Sequence, residues 1–147
     1  MAGITTSPDG AFMSQMARNL TDPVDGFLRT HRFVIGDRDA KFTAQFRCIL
    51  QVAGVEVIRT PRQAPNCNAH AERFVLSIKS ECLSRMMFFG EAPLRRAVGE
   101  YLQHYHRERP HQGLGNEPLR VAPPCTTGEI RCTDRLGGLL KHYDRAA

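Results

Sequence analysis

No run of about 18 apolar residues occurs anywhere in the 147-residue chain, so no segment reads as a membrane-spanning helix. Thr5, Thr6, Ser7, Pro8 and Asp9 come too early for the apolar region of a signal peptide. There is no Cys-x-x-Cys pair, and Cys48, Cys67, Cys82, Cys125 and Cys132 are odd in number, which fits reduced thiols better than a disulfide framework. Cys67 with His70, and His104 with His106 and His111, lack the paired spacing of a structural zinc module. Repeats and low-complexity tracts are also missing. These absences predict a cytoplasmic protein without membrane, disulfide or zinc, and the length suits a single globular domain with a modest core.

What is present leans basic. Twenty Lys and Arg against fifteen Asp and Glu leave a formal net charge of +5, which favours a polyanionic partner without proving one. Ile4-Thr5-Thr6 is β-branched and Ser7-Pro8-Asp9-Gly10 is turn chemistry, so the first residues read as the end of an extended segment. Phe12, Met13, Met16, Ala17 and Leu20 recur at helical spacing. Arg32-Phe33-Val34-Ile35 is a compact apolar strand that Gly36-Asp37 ends. A helix carrying Phe42, Phe46, Ile49, Leu50 and Ala53 follows, with Gly54 as its C-terminal cap, and Val55–Arg59 is a second strand. Strand, helix and strand in so short a stretch predict a right-handed parallel crossover. After a loop with Pro61, Pro65 and Asn66, Asn68 suits an N-cap for a helix with Ala71, Phe74, Val75, Ile78 and Cys82 on its apolar stripe. A further helix spans 92–106, with Leu94, Val98, Tyr101, Leu102 and Tyr105 inward. The remainder contains Pro123-Pro124 and a short hairpin expected from Glu129 to Leu140.

Two acids stand at element ends. Asp37 closes a strand in Phe33-Val34-Ile35-Gly36-Asp37-Arg38-Asp39-Ala40-Lys41-Phe42, and Glu72 lies in the first turn of a helix in Asn68-Ala69-His70-Ala71-Glu72-Arg73-Phe74. Magnesium takes hard oxygen ligands, usually a few carboxylates with water and substrate phosphate. By residue type and spacing alone, however, an Asp and a Glu 35 positions apart read first as solvated surface acids.

The surrounding residues narrow the choice. The Asp37 segment, the Glu72 segment, Ser80-Glu81-Cys82-Leu83 and the stretch His104-Tyr105-His106-Arg107-Glu108-Arg109-Pro110-His111-Gln112-Gly113-Leu114-Gly115 together resemble the catalytic core of transposases and integrases of the retroviral-integrase superfamily, of the bacterial insertion-sequence type. The resemblance covers roughly Ile4 to Tyr143 and implies an α/β, ribonuclease H-like fold with a five-stranded mixed sheet. It implies phosphodiester transfer on DNA with two Mg2+ or Mn2+ ions about 4 Å apart, held by three carboxylates. On that reading Asp37 holds one metal and Glu72 the other, while the first aspartate of the family, which bridges both, has no counterpart. Asp9, Asp22, Asp25 and Asp39 do not resemble a strand-borne ligand, and Asp39 reads as a turn residue.

The resemblance also implies an N-terminally truncated core over residues 1–117, lacking its first two to three strands, with a tail over 118–147. The strand ending at Asp37 then has an uncovered edge. Lys79, two turns beyond Glu72, together with Arg73 and Arg62, is placed to meet DNA phosphates, although such residues are more often a solvated face. His104, His106 and His111 read as capping and loop packing. No helix-turn-helix is visible, so end recognition is not legible. Two functions remain open. One is a transferase fragment, active when the upstream strands arrive from an N-terminal segment, a full-length transposase or a further copy. The other is an inactive remnant that binds DNA or a transposase subunit.

Overall fold

The computed structural model describes residues 2–62, 64–120 and 127–146; Pro123-Pro124 and Cys125 lie outside the described residues. The chain is mixed helix and strand and divides into two compact units, Met1–Arg73 and Phe74–Ala147, with the boundary inside a helix rather than at a loop.

In the first unit α1 spans Gly10–Leu20, β1 Phe33–Gly36, α2 Ala44–Val52 and β2 Glu56–Arg59. Asp9 begins α1 as its N-cap, its carboxylate accepting from Phe12 N at 2.7 Å, and Thr43 does the same for α2 through Phe46 N at 3.2 Å. Each side chain satisfies a backbone donor that a helix start leaves without an intrahelical partner. Ile4-Thr5-Thr6, expected to be extended, is irregular instead. It has no strand beside it among the described residues, and its backbone turns at once, Asp9 N donating to Ser7 O at 2.9 Å.

The end of α2 follows its sequence closely. Ala53 is the C-cap, exposed rather than part of the buried stripe, and Gly54 follows with φ +80. Gly54 N donates to Gln51 O at 3.0 Å and Val55 N to Leu50 O at 2.9 Å, the paired bonds of a Schellman motif. Val55 and Leu50, bonded this way, meet in one core cluster with Ala17, Leu28 and Phe46. A Cβ on Gly54 would meet nothing within 4 Å, so substitution there carries backbone strain alone. Gly54→Val is expected to lower stability by about 1–2 kcal/mol and Gly54→Asn by less than half of that; equal melting temperatures for the two variants would refute the assignment.

β1 and β2 pair in parallel, Val34 opposite Val57 and Ile35 opposite Ile58. Val34 and Val57 pack on the helical core. The alternate side chains Phe33, Ile35 and Ile58 are 45%, 57% and 43% exposed, although parallel sheets are ordinarily covered on both faces. Arg32 O and Gly36 O accept from Glu56 N and Thr60 N of the β2 side. Strand alternation therefore turns the backbone groups of Phe33 and Ile35 to the other edge, where no strand pairs among the described residues. The described residues hold two sheets of two strands each, the parallel β1–β2 pair and one antiparallel pair in the second unit.

α3, Ala69–Glu81, runs from the first unit into the second and follows a 3-10 turn at Pro65–Asn68, so Asn68 ends that turn. Of its expected stripe, Ile78 and Cys82 are buried and Phe74 half-buried, while Ala71 and Val75 are exposed. α4 spans Glu91–Arg107, and β3, Ile130–Arg135, pairs antiparallel with β4, Leu140–Arg145, a hairpin reaching five residues beyond its expected end. In the core of the second unit Ile78, Cys82, Ala97, Tyr101, Tyr105 and Leu136 are buried together.

Candidate functional site

Asp37 follows directly on β1, at the carboxyl end of a parallel strand, where open α/β sheets place their ligands. It is exposed. Its Oδ1 accepts from Asp39 N at 3.0 Å, a local turn bond that aims the carboxylate. Arg38 Nε donates to Thr60 O at 2.9 Å, tying this turn to the end of β2. A small, mostly apolar cavity opens beside it, lined by Asp37, Ile35, Phe42, Phe46, Arg47 and Arg59 among others.

Asp39 is the turn residue that the sequence suggested. It accepts from Lys41 N at 2.9 Å and pairs with Lys41 Nζ at 2.8 Å. The side-chain hydrogen bond from Lys41 holds its carboxyl below the usual range. A carboxylate already committed to an ammonium is a poor candidate for an additional ligand.

Glu72 sits in the first turn of α3, where the helix dipole favours a negative charge. It is exposed, as are Arg73, Lys79 on the same helix and Arg62 in the preceding loop. None of these four lines the cavity at Asp37. Among the described residues no three His, Cys, Asp or Glu side chains come close enough to hold a metal ion. Asp37 and Glu72 supply the right atoms for a hard cation, two oxygen-donor carboxylates, but the described residues add no third.

The second unit contains a charged network that sequence reasoning passed over. Glu81, at the end of α3, receives Tyr101 Oη at 3.0 Å and both Arg109 Nε and Arg109 Nη2, the last at 2.8 Å. Burial works to raise its pKa; hydrogen bonds from Arg109 and Tyr101 outweigh it and leave the carboxyl lowered. Burial, and then the hydrogen bond to that carboxylate, push the Tyr101 hydroxyl well up. Glu108 is held between Arg135, whose Nε lies 2.9 Å from both carboxylate oxygens, and His104 Nδ1 at 3.2 Å.

His111 Nε2 meets Tyr105 O at 3.0 Å and its ring sits edge-on to Tyr105. His104, through Glu108, and His111, through Tyr105 O, thus tie the end of α4 to the residues that follow it. A signal for Glu81 was available, because it directly precedes Cys82 on the buried side of α3. Nothing local pointed to Arg109, 28 positions away.

Comparison with known families matches residues 53–118 to the integrase core domain. The match includes Arg62, Glu72, Arg73, Lys79, Glu81, Tyr101 and Arg109, and begins after Asp37. Comparisons with curated proteins and with solved structures returned no match.

Proposed function

We propose that the chain serves DNA integration or transposition as part of a metal-dependent polynucleotidyl transferase, a reading supported by the match of residues 53–118 to the integrase core domain. The observation that carries the reading is that the matched segment sets an exposed Glu72 in the first turn of α3, followed by exposed Arg73 and, two turns further along the helix, exposed Lys79. Asp37 and Glu72 are proposed as two carboxylate ligands for Mg2+ or Mn2+. Lys79, Arg73 and Arg62 are proposed to meet DNA phosphates, which set affinity and position without reading sequence. Residues 1–117 are proposed as the core, working in the cytoplasm, with 118–147 as an accessory tail.

The third carboxylate is proposed to come on a strand paired along the free edge of β1. Two observations favour this. The backbone groups of Phe33 and Ile35 point to that edge, and the apolar side chains of the same residues stand uncovered. Such an edge is a template for β-strand addition.

A strand-transfer and nicking assay tests the proposal. The chain alone, with Mg2+ or Mn2+, is expected to leave DNA intact. Adding a segment that carries the upstream strands of an integrase core is expected to restore cutting only when its aspartate is present, and Glu72→Gln is expected to abolish the restored activity. Nicking by the chain alone that Glu72→Gln removes would place the third ligand elsewhere. Restored activity that survives Glu72→Gln would remove Glu72 from the site.

A further inference from the structure

The β3–β4 hairpin lies beyond the matched segment, and its two faces have opposite characters. Arg135 and Leu140 are cross-strand neighbours; Arg135 holds Glu108, and Leu140 packs on the core. The turn between the strands is fixed by Leu136 N donating to Glu100 Oε2 at 2.7 Å, with Leu136 at φ +53 and Gly137 and Gly138 also at positive φ. The hairpin is therefore held firmly against α4, and its other face is turned outward.

That face carries Ile130, Cys132 and Asp134 from β3 and Lys141, Tyr143 and Arg145 from β4, all exposed. Tyr143 is 62% exposed. The side chains of Lys141 and Tyr143 make no hydrogen bond, ion pair or ring contact among the described residues. Arg145 is anchored by one bond, Nη1 to Gly128 O at 3.0 Å. Along β4 the order is cation, aromatic, cation at alternate positions, each step roughly 7 Å. Asp134 stands opposite Lys141 and offsets part of its charge, and both cations of this face lie on β4.

We propose that this face binds single-stranded DNA, the choice of DNA resting on the function proposed above, with a base stacked on Tyr143 and backbone phosphates met by Lys141 and Arg145. A polyanion with flat apolar units satisfies all three side chains together, whereas an acidic peptide would use only the two cations. Bases in an intact duplex stack on one another and are closed to Tyr143, so the platform selects unpaired nucleotides. The binding needs no metal and does not depend on Asp37 or Glu72.

The test is fluorescence anisotropy of a labelled oligothymidylate with the full chain in EDTA, which silences any metal chemistry. Tyr143→Ala is expected to weaken binding about tenfold or more, and Tyr143→Phe, which keeps the ring, to stay within about twofold. Lys141→Gln is expected to weaken binding and to reduce the salt slope by about 0.7. Both positions are exposed, so the variants should melt with the parent chain. Equal affinity of Tyr143→Ala and the parent, or a duplex whose binding falls as far on Tyr143→Ala as the single strand's does, overturns the proposal.

Discussion

Replacing Tyr101 by alanine is expected to cost the second unit about 3–5 kcal/mol, a large part of the whole stability of a small domain. Tyr101 is fully buried on α4. Its ring lies 6.4 Å from Phe74 and 5.9 Å from Tyr105, between centroids, so truncation opens a cavity in an aromatic cluster. The hydroxyl adds a second loss, since Glu81 would keep only Arg109 as a partner. Tyr101→Phe separates the two effects. It keeps the ring and removes one hydrogen bond to a charged group, for which about 1.5–3 kcal/mol is expected. Thermal melts followed by circular dichroism check both variants. A Tyr101→Ala protein that melts within a degree or two of the parent would mean that this cluster is not the core of its unit.

Removing the Glu108 carboxylate should have the next largest effect. Its side chain is only 8% exposed and is held by Arg135 and His104. Glu108→Ala leaves the guanidinium and a buried imidazole without their acceptor, and breaking such a pair from one side costs about 3 kcal/mol when both partners are buried. Arg135 is 26% exposed, so water recovers part of its charge and about 2 kcal/mol is the sounder expectation.

The same site sets an acid limit. The hydrogen bond from Arg135, opposed by burial and aided by His104, holds the Glu108 carboxyl below its ordinary value of 4.5. A carboxyl lowered in the folded state stabilises it fully above the unfolded pKa, and that contribution disappears as pH falls through the folded pKa. Glu81 adds to the trend with the same sign. Urea midpoints measured from neutral pH downward should therefore fall below about pH 4.5, and fall less steeply in Glu108→Gln. Parallel curves for parent and variant would exclude Glu108 as a source of the acid sensitivity.

The positions of the elements were legible because they depend on neighbours in sequence. The helical spacing of Phe12, Met13, Met16, Ala17 and Leu20 marks α1, Gly54 marks the left-handed end of α2, and the apolar run before Asp37 marks β1. Asp37 and Glu72 were legible as acids at a strand end and a helix start for the same reason. Charged pairing was not legible. Arg109 and Arg135 look like ordinary surface residues in the chain, and the carboxylates they pair with lie 28 and 27 positions away. Periodicity reports which side of an element is apolar; it does not report which distant group will neutralise an acid beside that side.

The sequence alone determined the mixed α/β character, the right place for most helices and strands, and the integrase-core resemblance that the family match over 53–118 supports. A parallel crossover, a tail hairpin and an uncovered edge on the first strand were expected from the sequence; only the tertiary structure decided the register of the two pairs and, among the described residues, that the edge left without a strand is the one to which the backbone groups of Phe33 and Ile35 turn. Tertiary structure also decided that Arg109 and Arg135 face inward on carboxylates, while Lys141 and Arg145 face outward around Tyr143. The physical reason is common to all of these. Local patterns follow from backbone sterics and from burying an apolar stripe, whereas sheet order and charge pairing depend on which remote segments meet when the stripes are buried.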